Sequence, residues 1–141
     1  MGNYKMSVPI RPVMDMMSKP YWDSLKEKNL KLQKCLECEK LRFPPLATCP
    51  YCGFHEDEWV PLPGKAKLYS WIVVHAPINP ELKEDVPYVV GLVELDSGPR
   101  IAGRILGCSP EQIRKDMPVQ FYYHVVDEEL TLLAFEPADK K

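Results

Sequence analysis

The sequence predicts a mostly-β protein with an N-terminal helical segment, a metal-stapled ribbon of rubredoxin-like form, and a five-stranded barrel. Three observations carry this. Cys35, Cys38, Cys49 and Cys52 form two CxxC pairs separated by ten residues. Downstream, five runs of branched and aromatic residues are bounded by Pro, Gly, Asp or Ser, the pattern of short strands. Upstream, Met14, Met17, Tyr21 and Leu25 recur at three- and four-residue spacing, the period of a helix face.

Taken in order, residues 1–29 read as an N-terminal arm and helices. Pro9 and Pro12 hold the first stretch extended. Residues 14–28 read as helical, with Trp22 beside the apolar face, and Ser18 and Pro20 suited to starting a second helical segment. That Met- and aromatic-rich face either packs on the modules behind it or docks on a partner protein.

Residues 30–62 read as the ribbon: a strand at LKLQKC, a knuckle, a short strand at LRFPPL, a second knuckle, and HEDEWVPL. A CxxC turn brings two thiolates to one ion, and two such turns supply a tetrahedron of sulfur, which suits zinc. An iron site of rubredoxin type uses similar knuckles and stays open from the sequence. Disulfides are disfavoured because the chain reads as cytoplasmic. The second knuckle, CPYCG, has Pro50 to stiffen it and Gly53 to take a positive φ. The first, CLECE, has Glu39 at the equivalent place. With all four positions filled by sulfur the metal is structural.

Pro61, Pro63 and Gly64 mark the boundary, and residues 63–137 read as the barrel. Its strands are KAKLYSWIVVHA, YVVGLVELD, RIAGRIL, VQFYYHVVD and LTLLAFE. Between the third and fourth lies SPEQIRKDM, where Ser109, Pro110 and Gln112 form a capping pattern for a short helix. Five strands with one helix between strands three and four is the order of an OB-fold. Residues 138–141 read as a C-terminal tail.

The chain has 141 residues, 18 basic and 20 acidic, for a net charge of −2. A protein whose task is gripping a phosphate backbone is usually basic, so nucleic-acid binding is disfavoured. It remains the alternative function, because OB-folds bind single strands through aromatics and Tyr69, Trp71, Tyr88, Phe121, Tyr122 and Tyr123 supply them. No apolar run approaches membrane-helix length, and no leader of signal-peptide type is evident. The expected location is the cytoplasm, with no membrane contact. His55, His75 and His124 are isolated from one another in sequence, and Cys108, in GCSPEQI, has no flanking His to activate it. No catalytic residue is expected.

The chain resembles the zinc-ribbon/OB-fold family associated with acyl-CoA metabolism, formerly catalogued as a domain of unknown function. The match lies in Tyr21-Trp22, in Leu30 to Cys35, in Phe43-Pro44-Pro45, in Cys49-Pro50-Tyr51-Cys52-Gly53 and in Glu58-Trp59. It continues through Gly64, Ser70-Trp71, Pro87-Tyr88 and Met117-Pro118-Val119. It covers roughly residues 15–137, with departures at Glu39, where Gly is usual, and at Leu46, where a basic residue is often found. The resemblance implies an N-terminal helical hairpin. It also implies a non-catalytic accessory subunit of a CoA-ester enzyme, with a thiolase-superfamily enzyme as the expected partner and a CoA ester at or near the interface.

A CoA ester needs cations for its phosphates and an apolar slot. Lys65 and Lys67 alternate on one face of the first barrel strand, and Arg100 and Arg104 on one face of the third. The expectation is one basic strip beside Trp71 or Tyr88, close to the proline-rich loop 77–87.

Overall fold

The computed structural model describes residues 4–138. Residues 1–3 of the expected arm and residues 139–141 of the expected tail lie outside the described residues.

Helix α1 spans Lys19–Lys26, shorter than the expected 14–28, and among the described residues no hairpin of helices precedes it. The reason lies in Asp15 and Pro20. The Asp15 carboxylate accepts from both the N–H (2.8 Å) and the hydroxyl (2.7 Å) of Ser18, which closes a turn ahead of the helix. Pro20 then has no N–H to extend the helix backwards. At the other end Lys28 takes a positive φ of 57°, and the Asn29 N–H donates to the Ser24 carbonyl at 3.0 Å. Tyr21, Ser24 and Leu25 form the buried face.

The ribbon is a three-stranded antiparallel sheet. Strand β1 (Lys31–Cys35) lies between β2 (Leu41–Arg42) and β3 (Asp57–Pro61). Gln33 stands opposite Arg42 on one side and Trp59 on the other.

The five remaining strands are β4 (Lys65–Val74), β5 (Tyr88–Leu95), β6 (Arg100–Ile105), β7 (Pro118–Val125) and β8 (Thr131–Pro137). They close into a barrel in the order β4-β5-β6-β8-β7. β7 pairs back onto β4 through Ala66 and Val119, and β6 meets β8 in parallel at Ile105 and Phe135. This is the OB-fold arrangement that the strand order predicts. Strand β5 alternates strictly, burying Val89, Gly91, Val93 and Leu95. Gly91 is there because a Cβ would lie 2.6 Å from Leu68 Cδ1 and 2.8 Å from Ile105 Cδ1.

The helix expected between β6 and β7 is a single 3-10 turn, Pro110–Gln112. Its cap forms as read, with the Gln112 side chain accepting from the Ser109 N–H at 2.8 Å. The chain cannot continue as helix because Ile113 turns extended and packs on the core. The Asp116 N–H is also drawn to the Leu68 carbonyl at 2.8 Å.

Helix, ribbon and barrel share one apolar core. Tyr21, Leu25, Leu30 and Leu32 belong to the same buried cluster as Leu68, Val93, Phe121 and Phe135. The Leu30 N–H also donates to the Tyr123 hydroxyl at 2.9 Å. The arm before α1 lies on the barrel rather than away from it. The Tyr4 hydroxyl donates to the buried Glu136 carboxylate (2.9 Å), Ser7 donates twice to Asp85, and Arg11 pairs with Asp127 at 2.8 Å.

Candidate metal centre and basic surface

The four cysteines converge where the two knuckles meet, with Cys35 closing β1. Their sulfurs all lie within 4.8 Å of one another, with Cys35–Cys52 and Cys38–Cys49 at 3.6 Å. Four sulfurs at 2.3 Å from one zinc ion stand roughly 3.8 Å apart, whereas a disulfide needs about 2.05 Å. The donor set therefore fits a tetrahedral ion and leaves no position for substrate.

The two knuckles repeat one geometry. The Glu39 N–H donates to the Cys35 carbonyl at 3.0 Å, and the Gly53 N–H to the Cys49 carbonyl at 2.9 Å. Both residues have positive φ, 63° and 82°. Backbone N–H groups also point at sulfur, from Glu37 and Cys38 toward Cys35 Sγ at 3.4 and 3.5 Å. The Cys38 N–H contributes most to lowering the Cys35 thiol. Burial pushes the Cys49 thiol up, but the N–H groups of Cys52 and Tyr51 outweigh it and hold it near 6. At Cys52 the Phe54 N–H favours the thiolate, yet burial and the three neighbouring sulfurs push the thiol up to about 12. Four thiolates this close repel, and a divalent cation supplies the charge that lets all four ionise.

Behind the sulfurs sits a polar network absent from the sequence reading. Arg42, buried on β2, donates to Asp57 (2.8 Å) and to the Leu46 carbonyl (2.9 Å). Gln33 clamps the same residue, donating to the Leu46 carbonyl and accepting from its N–H at 2.8 Å. These contacts hold the loop Phe43-Pro44-Pro45-Leu46 against the sheet. The signal available in sequence was a charged residue inside the strand-like LRF between apolar neighbours.

The basic surface differs from the single strip expected. Lys67, Glu94 and Arg100 stand opposite one another across β4, β5 and β6. Glu94 pairs with both cations, at 3.7 and 3.0 Å. Arg100 and Lys115 both stack over the Tyr69 ring, 3.7 and 4.6 Å from its centre. Lys65 is exposed two residues before Lys67 on the same face. Arg104 is held elsewhere, with Asp85 at 3.1 Å and over the Tyr88 ring at 4.0 Å. Asp85 carries a depressed carboxyl pKa: burial raises it, but the hydrogen bonds from Ser7 and Arg104 prevail. Trp71 faces inward and packs against the core. Thus Lys67 and Arg100 come together, Arg104 joins Tyr88 at the far end of the face, and Trp71 stands apart from both, against the core.

Arg104, Tyr88 and Cys108 line a groove of about 510 Å³ with the arm residues Tyr4, Lys5 and Ser7. Of the histidines, His55 is exposed beside Thr48. His124 has its pKa lowered by burial and by Arg104, against a contact from the Met6 backbone. Phe121 and Tyr122 are buried, so they offer no stacking surface to a nucleic acid. No helix among the described residues is long and apolar enough to cross a membrane.

A four-sulfur ribbon joined through a shared core to a closed five-stranded OB barrel defines a zinc-ribbon/OB-fold protein. Residues 22–58 match the rubredoxin-like zinc ribbon domain of ChsH2, and residues 59–124 match its C-terminal OB-fold domain. A DUF35 domain-containing scaffold protein of Methanocaldococcus jannaschii is 34% identical over 117 residues, 82% of each chain. The chain therefore belongs to the DUF35 family, and its four cysteines are a structural zinc site.

A probable enoyl-CoA hydratase alpha subunit of Thermomonospora curvata is 38% identical over 128 residues, 91% of this chain but 40% of that protein. The chain thus spans less than half the length of that relative. The benzoylsuccinyl-CoA thiolase subunit BbsA of Thauera aromatica is 34% identical over 94 residues, 64% of this chain and 60% of that one. Among solved structures, a chain of the Ltp2-ChsH2(DUF35) aldolase superposes with a TM-score of 0.82 at 38% identity. It covers 91% of this chain and 99% of that one.

Proposed function

We propose that this chain is a non-catalytic, zinc-binding accessory subunit of a CoA-ester-processing enzyme, required for its assembly. The observation that carries the reading is the end-to-end match to the DUF35 chain of an aldolase assembly. Relatives named as a hydratase subunit and a thiolase subunit extend the same theme to other CoA-ester chemistry. A thiolase-type partner that makes or breaks a C–C bond is the finer form of the proposal, supported by the BbsA relationship. The cytoplasm suits it, since four thiolates need a reducing compartment.

A CoA ester lies near the subunit interface in this reading, against the outer face of β4, β5 and β6. Lys65, Lys67 and Arg100 stand at one end of that face, with Arg104 and Tyr88 at the other. The closed zinc site contributes folding, not chemistry.

Purification of the tagged chain from its native host, with identification of whatever remains bound, tests the assignment. The expected companion is a subunit of a CoA-ester enzyme, and the isolated chain is expected to show no thiolase, aldolase or hydratase turnover. Turnover by the isolated chain, or a drop of several orders of magnitude in the complex on Cys108→Ala, would overturn the non-catalytic assignment. For the CoA face, a Lys65/Arg100 double alanine variant that still assembles should raise the apparent KM about tenfold or more, as charge-assisted contacts are lost. Unchanged KM and kcat would leave the chain a scaffold only.

A further inference from the structure

The arm that crosses the barrel makes one contact that its anchoring does not need. Tyr4 donates to Glu136 at 2.9 Å, Met6 packs with Leu106, Tyr122 and Ala134, and Arg11 pairs with Asp127 at 2.8 Å. Between these anchors, Ser7 turns both of its donors onto one carboxylate. Its hydroxyl donates to Asp85 Oδ1 at 2.7 Å, and its N–H to Asp85 Oδ2 at 2.9 Å. The same Oδ2 accepts from Arg104 Nη2 at 3.1 Å.

This arrangement leaves Arg104 short of a partner. A guanidinium and a carboxylate pair best through two parallel N–H···O bonds. Nε and Nη2 together would make them with the two oxygens of Asp85, yet only Nη2 is used. Nε is buried and has no acceptor among the described residues, an unfavourable state for a donor. The oxygen that would serve it, Oδ1, is taken by the Ser7 hydroxyl. No other group nearby makes up the loss. Glu84 lines the same groove without reaching Nε, and Lys5 and His124 bring no carboxylate. The guanidinium meanwhile stays 4.0 Å over the Tyr88 ring and lines the groove of about 510 Å³. Resting on the CoA face proposed above, we infer that Ser7 is a positioning residue for Arg104. Its hydroxyl keeps Asp85 from closing a two-bond pair, and so keeps the guanidinium available to a phosphate of the CoA ester.

The first measurement needs no partner subunit. In nitrogen-edited NMR of the full chain, the Arg104 Nε–H of Ser7→Ala should move downfield and exchange about tenfold more slowly, because it gains the vacated Oδ1. Ser7→Thr, which keeps the hydroxyl, should match the wild type. Zinc content and the protection of amides 4 to 11 should be unchanged in both, since Tyr4, Met6 and Arg11 still hold the arm. An Arg104 resonance that Ser7→Ala leaves in place would overturn the inference. So would a loss of arm protection, which would make the hydroxyl an anchor and nothing more.

The second measurement uses the chain assembled with the companion subunit purified from the native complex. Ser7→Ala should raise the apparent KM for the CoA ester about tenfold with kcat unchanged, and Ser7→Thr should restore it. The pantetheine thioester of the same acyl group, which has no phosphate, should show no difference between Ser7→Ala and wild type. In an Asp85→Asn background, where no two-bond ion pair can form, the Ser7→Ala effect should fall below about twofold. A lowered kcat at unchanged KM, or an equal effect on the pantetheine thioester, would overturn the phosphate contact while leaving the accessory-subunit reading intact. If the wild-type chain retains no CoA-ester enzyme subunit at all, the proposed function falls and the phosphate contact with it.

Discussion

The barrel closes around Leu68, Val93, Val119 and Phe135, all fully buried. The far half of the ribbon closes around sulfur and charge. Past Leu32 it is held by Gln33, Arg42, Asp57 and the four thiols. A segment of about 25 residues cannot bury enough apolar surface to fold unaided, so a metal and a polar clamp take the place of a core. The near half of the ribbon is different, because Leu30 and Leu32 join the barrel's cluster. The boundary between the two ways of holding a fold therefore runs through β1, not between the modules.

The largest expected effect exploits that boundary. Cys49→Ser, or a strong chelator, removes a binding energy that is about 10–16 kcal/mol for small zinc modules. Hydrogen exchange should show protection lost from Cys35 to Phe54 while β4 to β8 keep theirs. Loss of protection throughout the barrel would show that the two halves depend on one another. Full protection at the knuckles after metal removal would show that the polar clamp suffices.

Phe135→Ala comes next and acts on the other side of the comparison. Phe135 stacks edge-on against Phe121 at 6.0 Å and fills the space over Gly103, whose added Cβ would lie 2.9 Å from its ring. Its loss should cost about 3–5 kcal/mol by urea denaturation with zinc content unchanged. Zinc loss in step with unfolding would show that the metal site depends on the barrel.

The two regions were also unequally legible in sequence. CLEC and CPYC announce the metal centre because ligand chemistry is local: two residues between thiols define a knuckle wherever it occurs. The barrel strands were legible because runs of branched residues bounded by turn formers, such as YVVGLVEL, survive into the structure as strands. One miss was set locally, and the rest by contacts between distant residues. The helix does not begin at Met14, because Asp15 and Pro20 decide its start. SPEQIRKDM carries a good cap, yet Leu68 draws Asp116 out of the helix. Arg104 reads as a free cation on an alternating strand until Asp85, from a loop 19 residues earlier, takes it. Arg42 was invisible as a buried group for the same reason: its partners Leu46 and Asp57 become neighbours only when the ribbon folds.

Arg42→Ala tests how much of the ribbon the polar clamp holds. Its side chain is 1% exposed, and Asp57 beside it 18%. Removing one member of such a pair typically costs about 3–5 kcal/mol because the other charge is left stranded. Since Asp57 retains some solvent and Gln33 nearby, the expected loss is near the lower figure, read by thermal melting of the zinc-loaded protein. Arg42→Ala/Asp57→Ala should recover part of it. A double variant no better than the single would mean that Arg42 acts through Leu46 and the proline loop, not through the ion pair.

The smallest effect separates the two knuckles. Both place the residue after the second cysteine at positive φ, yet one uses Gly53 and the other Glu39. A residue with a Cβ pays about 1–2 kcal/mol in this conformation. Gly would return about 0.5–1 kcal/mol of that through its greater freedom in the unfolded chain. Glu39 also gains a little from Lys34 at 3.7 Å, but the carboxylate is 76% exposed, where such pairs contribute less than about 1 kcal/mol. Glu39→Gly should therefore raise stability only slightly, by about 0.5 kcal/mol. Gly53→Ala should lower it by a similar or somewhat larger amount. An added Cβ at Gly53 meets nothing within 4 Å, so the whole effect at that position is backbone conformation rather than crowding. Thermal melting and the rate of zinc transfer to a chelator would read both variants. Opposite signs at the two positions support the strain argument. A neutral Gly53→Ala would show that the ion fixes the knuckle strongly enough to make its residue indifferent.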